Sequence, residues 1–324
     1  MKARAWSTPA QRAGNTLFKL FYRWTHSRAF RHNERLAHGV ELARDEHGRL
    51  ARMSIRRRAL ACVNAVPFGA ADPEGCHLIA TGPSVNEIDY RILPMRRVMG
   101  VNGAIALQDR QGVRFDYYSI VDSGFVRQRP DLVARVIGEP LTLFATPLVL
   151  WYIAQQFEIG HMRCRVFLLD DLLFPAGRRA LTLDALRAAH DHNRDSIALF
   201  DTPEAAGFSL DIRHGVFDGR TVAYTALQVL VSLGFERLFL HGLDLADAAR
   251  TPRFYESPGE MQPSHLDSHF HAFIEPSFRH AAALLRSRGV QVTNLSMKSA
   301  LGEDVFPKMR WQTLAREPEF ARVA

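Results

Sequence analysis

The chain has 324 residues, 47% apolar and 23% charged, enough for one large globular α/β domain or two small ones with an ample core. Its three cysteines, Cys62, Cys76 and Cys164, lie far apart with no CxxC spacing. Neither a disulfide framework nor a cysteine-rich zinc site is indicated, and inert buried thiols are expected. No window reaches the ~18 uncharged apolar residues of a membrane span, and the N-terminus lacks a secretory signal, so cytoplasmic residence is expected.

The net charge of +7 is uneven: residues 1–58 carry 14 Lys/Arg against four acids, a balance of +10, and the remainder comes to −3. Residues 1–70 therefore read as a basic N-terminal extension. Within it Leu17, Leu20, Phe21 and Trp24 recur at helical spacing with Lys19 and Arg23 on the other side, the pattern of an amphipathic surface helix. Basic residues near an anionic leaflet contribute roughly 1 kcal/mol each, so the extension is suited to peripheral attachment at an inner membrane surface. The competing reading is a helix packed on the domain with a solvated basic face. Nucleic-acid binding fits less well, because the aromatics share one helical face and are not spaced as stacking platforms. The acids from Glu34 onward argue against a long transit peptide.

From Cys76 to about residue 310 strands alternate with helices, with no internal repeat. A turn-rich boundary, Pro67-Phe68-Gly69 and Asp72-Pro73-Glu74-Gly75, precedes the strand Cys76-His77-Leu78-Ile79-Ala80, which runs into Thr81-Gly82-Pro83-Ser84. Further strands are expected at 97–101, 115–121, 141–145, 166–169, 238–240 and 291–293, and helices at 221–233 and 275–288. This alternation predicts an α/β fold with a doubly wound, mostly parallel, Rossmann-like sheet over residues 71–310, followed by a tail at 311–324. Residues 151–212 break the rhythm and read as a lid or acceptor-binding insertion. In that segment His190 and His192 read as part of a solvated face, and Asp170-Asp171 as a strand-end acid pair.

In open α/β sheets ligands collect outside the carboxyl ends of the strands. Gly82 followed by Pro83-Ser84 gives a tight turn whose N–H groups and hydroxyl can approach a phosphate at the next helix start. It is neither a GxGxxG loop nor a P-loop, so hydride transfer and P-loop ATP chemistry find no support. The strand ending in Val101-Asn102-Gly103 brings an amide to the same edge, where it reads either as an ordinary Asn-Gly turn or as a reader of base or sugar. The strand Arg237-Leu238-Phe239-Leu240-His241 ends in Gly242-Leu243-Asp244, and Ser264-His265-Leu266-Asp267-Ser268-His269 lies beyond it.

These blocks occur in the same order as in the family-42 bacterial sialyltransferases, and the chain resembles their superfamily. A broader group within it, which includes Maf-type flagellin glycosyltransferases and archaeal hydroxymethylpterin diphosphokinases, has a helix start like Gly219-Arg220-Thr221-Val222-Ala223 here. The likeness covers about residues 76–307. It implies that His269, the second His of the Ser-His-x-x-x-His block, is the general base for the acceptor hydroxyl. Imidazole, with an ordinary pKa of ~6.5, suits that task, and general base catalysis contributes roughly 10²–10⁴-fold. The resemblance further implies nucleotide contacts from Gly82, Pro83, Ser84 and Asn102, and donor-side roles for Arg220, Thr221, Asp244 and His265. Of the family's two phosphate-binding tyrosines, one position is Ala246 here and the other is filled by Tyr255.

The resemblance thus leads to the expectation of an inverting, metal-independent glycosyltransferase, with no cofactor beyond its substrate. It moves an acidic ulosonic sugar, 3-deoxy-octulosonate (Kdo) or a sialic-type acid, from a CMP donor to a lipopolysaccharide, lipooligosaccharide or other surface glycan. CMP departs with a single phosphate that hydroxyls, amides and arginine can neutralise, and no Asp-x-Asp metal motif is present. Four alternatives stay open on the sequence. His265, His269 and His271 are a zinc candidate without a clear further ligand, or they line an ordinary polar loop. Asp122, Asp244 and Asp247 are the acids an Mg/ATP-dependent diphosphokinase would use. A non-catalytic glycan-binding protein is the last. The partners expected are a CMP-sugar, a glycan or lipid-linked acceptor and an anionic membrane surface, with no nucleic acid; homo-oligomerisation is left open.

Overall fold

The computed structural model describes residues 9–36, 39–62, 75–190, 196–200, 202, 207–257, 259 and 261–316. The expected boundary turns at 67–69 and 72–74, the stretch 191–195 with His192, and residues 317–324 of the tail lie outside them. In chain order the elements are α1 (Pro9–Thr25), β1 (Val40–Arg44), β2 (Leu50–Ile55), β3 (Arg58–Ala59), β4 (Cys76–Ile79), β5 (Val98–Val101), α2 (Ala106–Gln111), β6 (Tyr117–Ile120), α3 (Ser123–Gln128), α4 (Pro130–Gly138), β7 (Thr142–Ala145), α5 (Pro147–Gln156), β8 (Arg165–Leu168) and α6 (Leu183–His190). After these come β9 (Ile197–Leu199), β10 (Gly207–Ser209), α7 (Val222–Ser232), β11 (Arg237–His241), α8 (Leu266–His269), α9 (Glu275–Ser287), β12 (Gln291–Asn294) and α10 (Trp311–Arg316). The chain divides into two compact units, the first comprising residues 1–66, 120–199 and 209–217, the second 67–119, 200–208 and 218–324.

The second unit holds parallel strands in the order β12-β11-β4-β5-β6. The chain runs outward from β4 through β5 to β6, then returns to lay β11 and β12 on the other side of β4. This is the doubly wound α/β arrangement expected, and its switch point lies between β4 and β11. Every residue of β4 and β5 is buried, as befits strands covered on both faces. Helix α7 is apolar almost all round and buried from Ala223 to Leu230. It stops where Gly234 adopts φ +93°, with Gly234 N donating to Val231 O and Phe235 N to Leu230 O. Across the switch point His77 Nδ1 and His241 Nε2 meet at 2.9 Å in the core. Burial holds His77 down at about 3 and His241 well below the ordinary range, so both imidazoles are neutral packing groups.

The first unit contains an antiparallel sheet, β1-β2-β3, and the parallel pair β7 and β8. The sequence pattern predicts no strand before residue 70; the turn that joins β1 to β2 nevertheless has its own signature. Asp45 Oδ1 accepts from His47 N at 3.0 Å and Arg49 N at 2.8 Å, and Gly48 takes φ +76°. Met53 and Ile55 then alternate inward. Residues 40–62 pack within this unit against 151–170: Arg44 pairs with Asp170, Arg58 with Glu158, and Cys62 bridges to Val166. Asp170-Asp171 follows β8, as expected of a strand-end pair. Cys76 and Cys164 are buried and Cys62 half-buried, and burial pushes the Cys164 thiol up to about 12. Helix α1 forms with Leu17, Leu20, Phe21 and Trp24 exposed at 67%, 58%, 59% and 85%. Among the described residues no helix is long and apolar enough to cross a membrane.

Candidate active site

The loops leaving β4 and β11 continue to pair beyond the strands: Ala80 N donates to His241 O at 2.8 Å and Gly82 N to Gly242 O at 2.9 Å. Gly242 has φ +63°, and a Cβ on Gly82 would lie 2.0 Å from Asp244 Oδ2, so this approach requires glycine at both positions. Asp244 Oδ2 accepts from the backbone N–H and the hydroxyl of Ser84, both at 3.0 Å. Burial raises the Asp244 pKa, and the Ser84 bonds partly oppose the shift. Pro83 opens a single 3-10 turn, Pro83–Glu87. Gly82, Pro83, Ser84 and Asp244 are thus brought together at the switch point. Both Ser84 donors, expected from the sequence to face a phosphate, face Asp244 instead, because the β11 loop comes within contact of Gly82.

At the end of β5, Asn102 takes φ +44°, a strained left-handed position for a non-glycine residue. Its carbonyl accepts from Tyr118 Oη at 2.6 Å, while its side-chain Oδ1 is buried without a hydrogen-bond partner. A Cβ on the next residue, Gly103, would fall 2.0 Å from the Tyr255 ring, so Tyr255 lies directly on the Asn-Gly turn. Phe254 N donates to Thr81 O at 3.2 Å, and Arg110 donates to Phe254 O at 2.8 Å. Glu256, bonded to Arg253 at 2.7 Å, closes the turn that presents Tyr255. Tyr255 therefore joins the Gly82 and Asn102 group.

Arg220, Thr221 and His269 form a second group. Arg220 sits at φ +60° just before α7, and Thr221 caps that helix through Oγ1, which accepts from Ala223 N at 3.4 Å. The Arg220 guanidinium lies 5.5 Å over the ring of Phe273, and the His269 ring meets the same ring edge-on at 5.8 Å. One aromatic side chain thus holds the expected base and the expected donor-side cation. Phe273 is absent from the residues nominated by the sequence, although its i+4 spacing from His269 is the available signal. His269 ends α8, and residues 270–274 form a π-helical turn before α9. Such turns often mark functional sites. His265 precedes α8 and is exposed, and His271 turns to Glu275 at 3.1 Å. Among the described residues no three His, Cys, Asp or Glu side chains converge as a metal-binding group.

Asp267 connects the two groups. Its carboxylate oxygens accept from Ala248 N at 2.9 Å and Ala249 N at 2.8 Å, fastening the loop beyond Asp244 to the helix that carries His269. That loop contains two left-handed residues, Leu245 and Asp247.

Residues 178–312 match the family model described as 3-deoxy-D-manno-octulosonic acid transferase WaaZ, a span that includes Arg220, Asp244, Tyr255 and His269. A "probable 3-deoxy-manno-octulosonic acid transferase" of Salmonella typhimurium is 24% identical over 252 residues, 77% of this chain and 92% of that protein. One of the same description from Escherichia coli is 22% identical over 242 residues, 74% of this chain and 84% of the relative. Among solved structures, the Maf glycosyltransferase of Magnetospirillum magneticum has a TM-score of 0.45 at 14% identity, over 78% of this chain and 35% of that one. The monofunctional α-2,3-sialyltransferase Cst-I of Campylobacter jejuni has a TM-score of 0.43 at 17% identity, over 76% of this chain and 84% of that one. The family-model match and the two curated relatives set aside the diphosphokinase and non-catalytic readings. The chain is similar to 3-deoxy-D-manno-octulosonic acid transferases and is a glycosyltransferase.

Proposed function

We propose that this protein transfers an acidic ulosonic sugar, Kdo or a sialic-type acid, from its CMP donor to a lipid-linked or surface glycan of the lipopolysaccharide type. The observation that carries the reading is the pairing of His269 and Arg220 on Phe273, inside the span that matches the Kdo transferase model. In this scheme His269 accepts the proton of the acceptor hydroxyl as its oxygen attacks the anomeric carbon. The carbon–oxygen bond to the phosphate breaks on the opposite face, so the configuration inverts. CMP leaves with a dianionic phosphate, and Arg220, the Tyr255 hydroxyl and the N-terminal end of α7 are the groups that neutralise it. The transfer needs no metal. Asn102 Oδ1, buried and unpartnered, accepts from the nucleotide, and Gly82 and Asp244 keep the adjoining loop in place.

Exposure of the apolar face of α1 supports attachment to an anionic membrane surface, where a lipid-linked acceptor resides. Arg23 is committed to Glu34 through bonds of 2.6 and 2.8 Å, so attachment relies on the Leu, Phe and Trp side chains together with Lys19 and the other arginines of the segment.

The test is His269→Ala. Transfer from a CMP-sugar falls by roughly 10²-fold or more, while CMP binding by calorimetry stays at the wild-type level. Full turnover by the variant would remove His269 as the base.

A further inference from the structure

The first unit contains a cavity of about 670 Å³, in the size range of small-molecule sites, for which the transfer reaction has assigned no role. Its cationic side chains are Arg44, Arg49, Arg178 and Arg179, with His47 and His214 at the margin; the carboxylates among its lining residues are Asp170 and Asp171. These charges are not equivalent. The Arg44 guanidinium donates to Asp170 Oδ2 and Ala176 O at 2.7 Å and to Gly48 O at 2.9 Å, so this largely buried pair is neutral overall. Asp171 Oδ1 accepts from Leu173 N at 2.8 Å and Phe174 N at 2.7 Å and shapes the adjoining turn. Asp45 stands 3.8 Å from Arg49 Nε, beyond hydrogen-bond distance, and that buried Nε has no hydrogen-bond partner. His214 faces Asp211, which is already held bidentately by Arg213.

Arg178 and Arg179 remain. Among the described residues neither guanidinium pairs with a carboxylate, and Arg178 lies over Gly48, 3.2 Å from where a Cβ would stand. The backbone that presents them is fixed by a buried side chain. Asn33 accepts from Gly177 N at 2.8 Å and donates to Arg178 O at 2.8 Å, and His32 Nε2 meets Pro175 O at 3.0 Å. Two unpaired guanidinium groups on a pinned turn, a third with a buried unpartnered N–H, and apolar walls from Phe30, Leu172 and Ile197 are the recognition chemistry of a sugar ring bearing an anionic group.

We infer that this cavity is a binding site for an anionic saccharide, whose phosphate or carboxylate is held by Arg178, Arg179 and Arg49. The inference rests on the first unit alone and stands or falls independently of the CMP-donor reading.

The experiment titrates the full chain calorimetrically with glucose 6-phosphate and with glucuronate, using glucose and inorganic phosphate as controls. Saturable binding of either charged sugar, tighter than both controls, is expected, and the tighter of the two identifies phosphate or carboxylate as the anion read. Arg178→Ala/Arg179→Ala weakens that binding roughly ten- to hundred-fold, the loss expected for charge-assisted hydrogen bonds. Arg178→Glu/Arg179→Glu abolishes it; both side chains are exposed, so an unchanged melting temperature verifies folding. Failure of both charged sugars to bind, binding no tighter than that of inorganic phosphate, or binding that the double variants leave unchanged would each overturn the inference.

Discussion

Removing the Asp244 carboxylate tests whether the switch-point loops are held as described. Asp244→Ala leaves the buried N–H of Ser84 without its acceptor, whereas the Ser84 hydroxyl keeps Ser296 Oγ at 3.0 Å. One orphaned buried donor costs about 1–3 kcal/mol, and relief of a buried carboxylate recovers part of that, so a net loss of about 1–2 kcal/mol in urea unfolding is expected. The pH dependence gives a sharper readout. Burial raises the folded-state pKa of Asp244 above its ordinary value near 3.8, so the folded chain binds the proton more tightly than the unfolded one. The contribution of Asp244 to stability is therefore fully present below that ordinary value and declines as pH rises through the raised pKa. Asp244→Asn lacks this titration. Subtracting its stability from that of wild type at each pH also cancels the acid destabilisation that His77 and His241 impose on both proteins. The wild-type advantage should shrink as pH rises from below 4 toward neutrality and then level off. An advantage that grows with pH would refute the assignment, because it would mean that the charged form is the better-held one.

Phe273→Ala removes the ring between Arg220 and His269, at about 0.5–1.5 kcal/mol for each ring contact, and should lower kcat roughly ten-fold with little change in donor KM; wild-type kcat would rule out a positioning role. Leu20→Glu with Trp24→Glu should reduce cosedimentation with anionic vesicles at least about ten-fold, since each apolar side chain contributes ~1.5–3 kcal/mol when buried, and should leave transfer to a water-soluble acceptor intact. Unchanged vesicle binding would sink the surface-helix proposal. These point variants are preferable to deleting residues 1–58, which would also remove β1 and β2 from the first unit.

The second unit is legible in the sequence because its signals are local. Short apolar runs bounded by turn residues, such as Leu238-Phe239-Leu240, read as buried strands in a covered sheet, and the predicted ends of β5, β6, β11, α7 and α9 differ from the observed ones by at most a few residues. The β1-β2-β3 sheet is hidden by arginine. Arg44, Arg52 and Arg58 occupy strand positions where composition alone suggests a solvated extension, and Arg44 turns inward only because Asp170, 126 residues away, receives it. Pairings of that range have no sequence signature. The same limit applies to the site: the strand-end glycines and the His block stand out, but Phe273 and Asp267 act through contacts that only the folded chain defines.

The hydrogen bonds of the second unit sort its candidate residues by what they have left to give. Ser84 and Asp244 satisfy each other, Thr221 is engaged as a helix cap, and Asp267 takes two backbone N–H groups of the loop beyond β11. These groups hold the architecture, and replacing them disturbs stability along with activity. Asn102 Oδ1 is different: it is buried, held at a strained φ and unpartnered, a costly arrangement for a polar atom. His269 is fixed through the edge of the Phe273 ring, and the Arg220 guanidinium lies over the face of that ring with only a long, 4.0 Å ion pair to Asp218, beyond hydrogen-bond distance. A transferase needs this division. In the proposed transfer the loops stay fixed while one leaving group departs and one proton moves, and the residues proposed for that chemistry are those whose hydrogen-bonding capacity the fold has not already consumed.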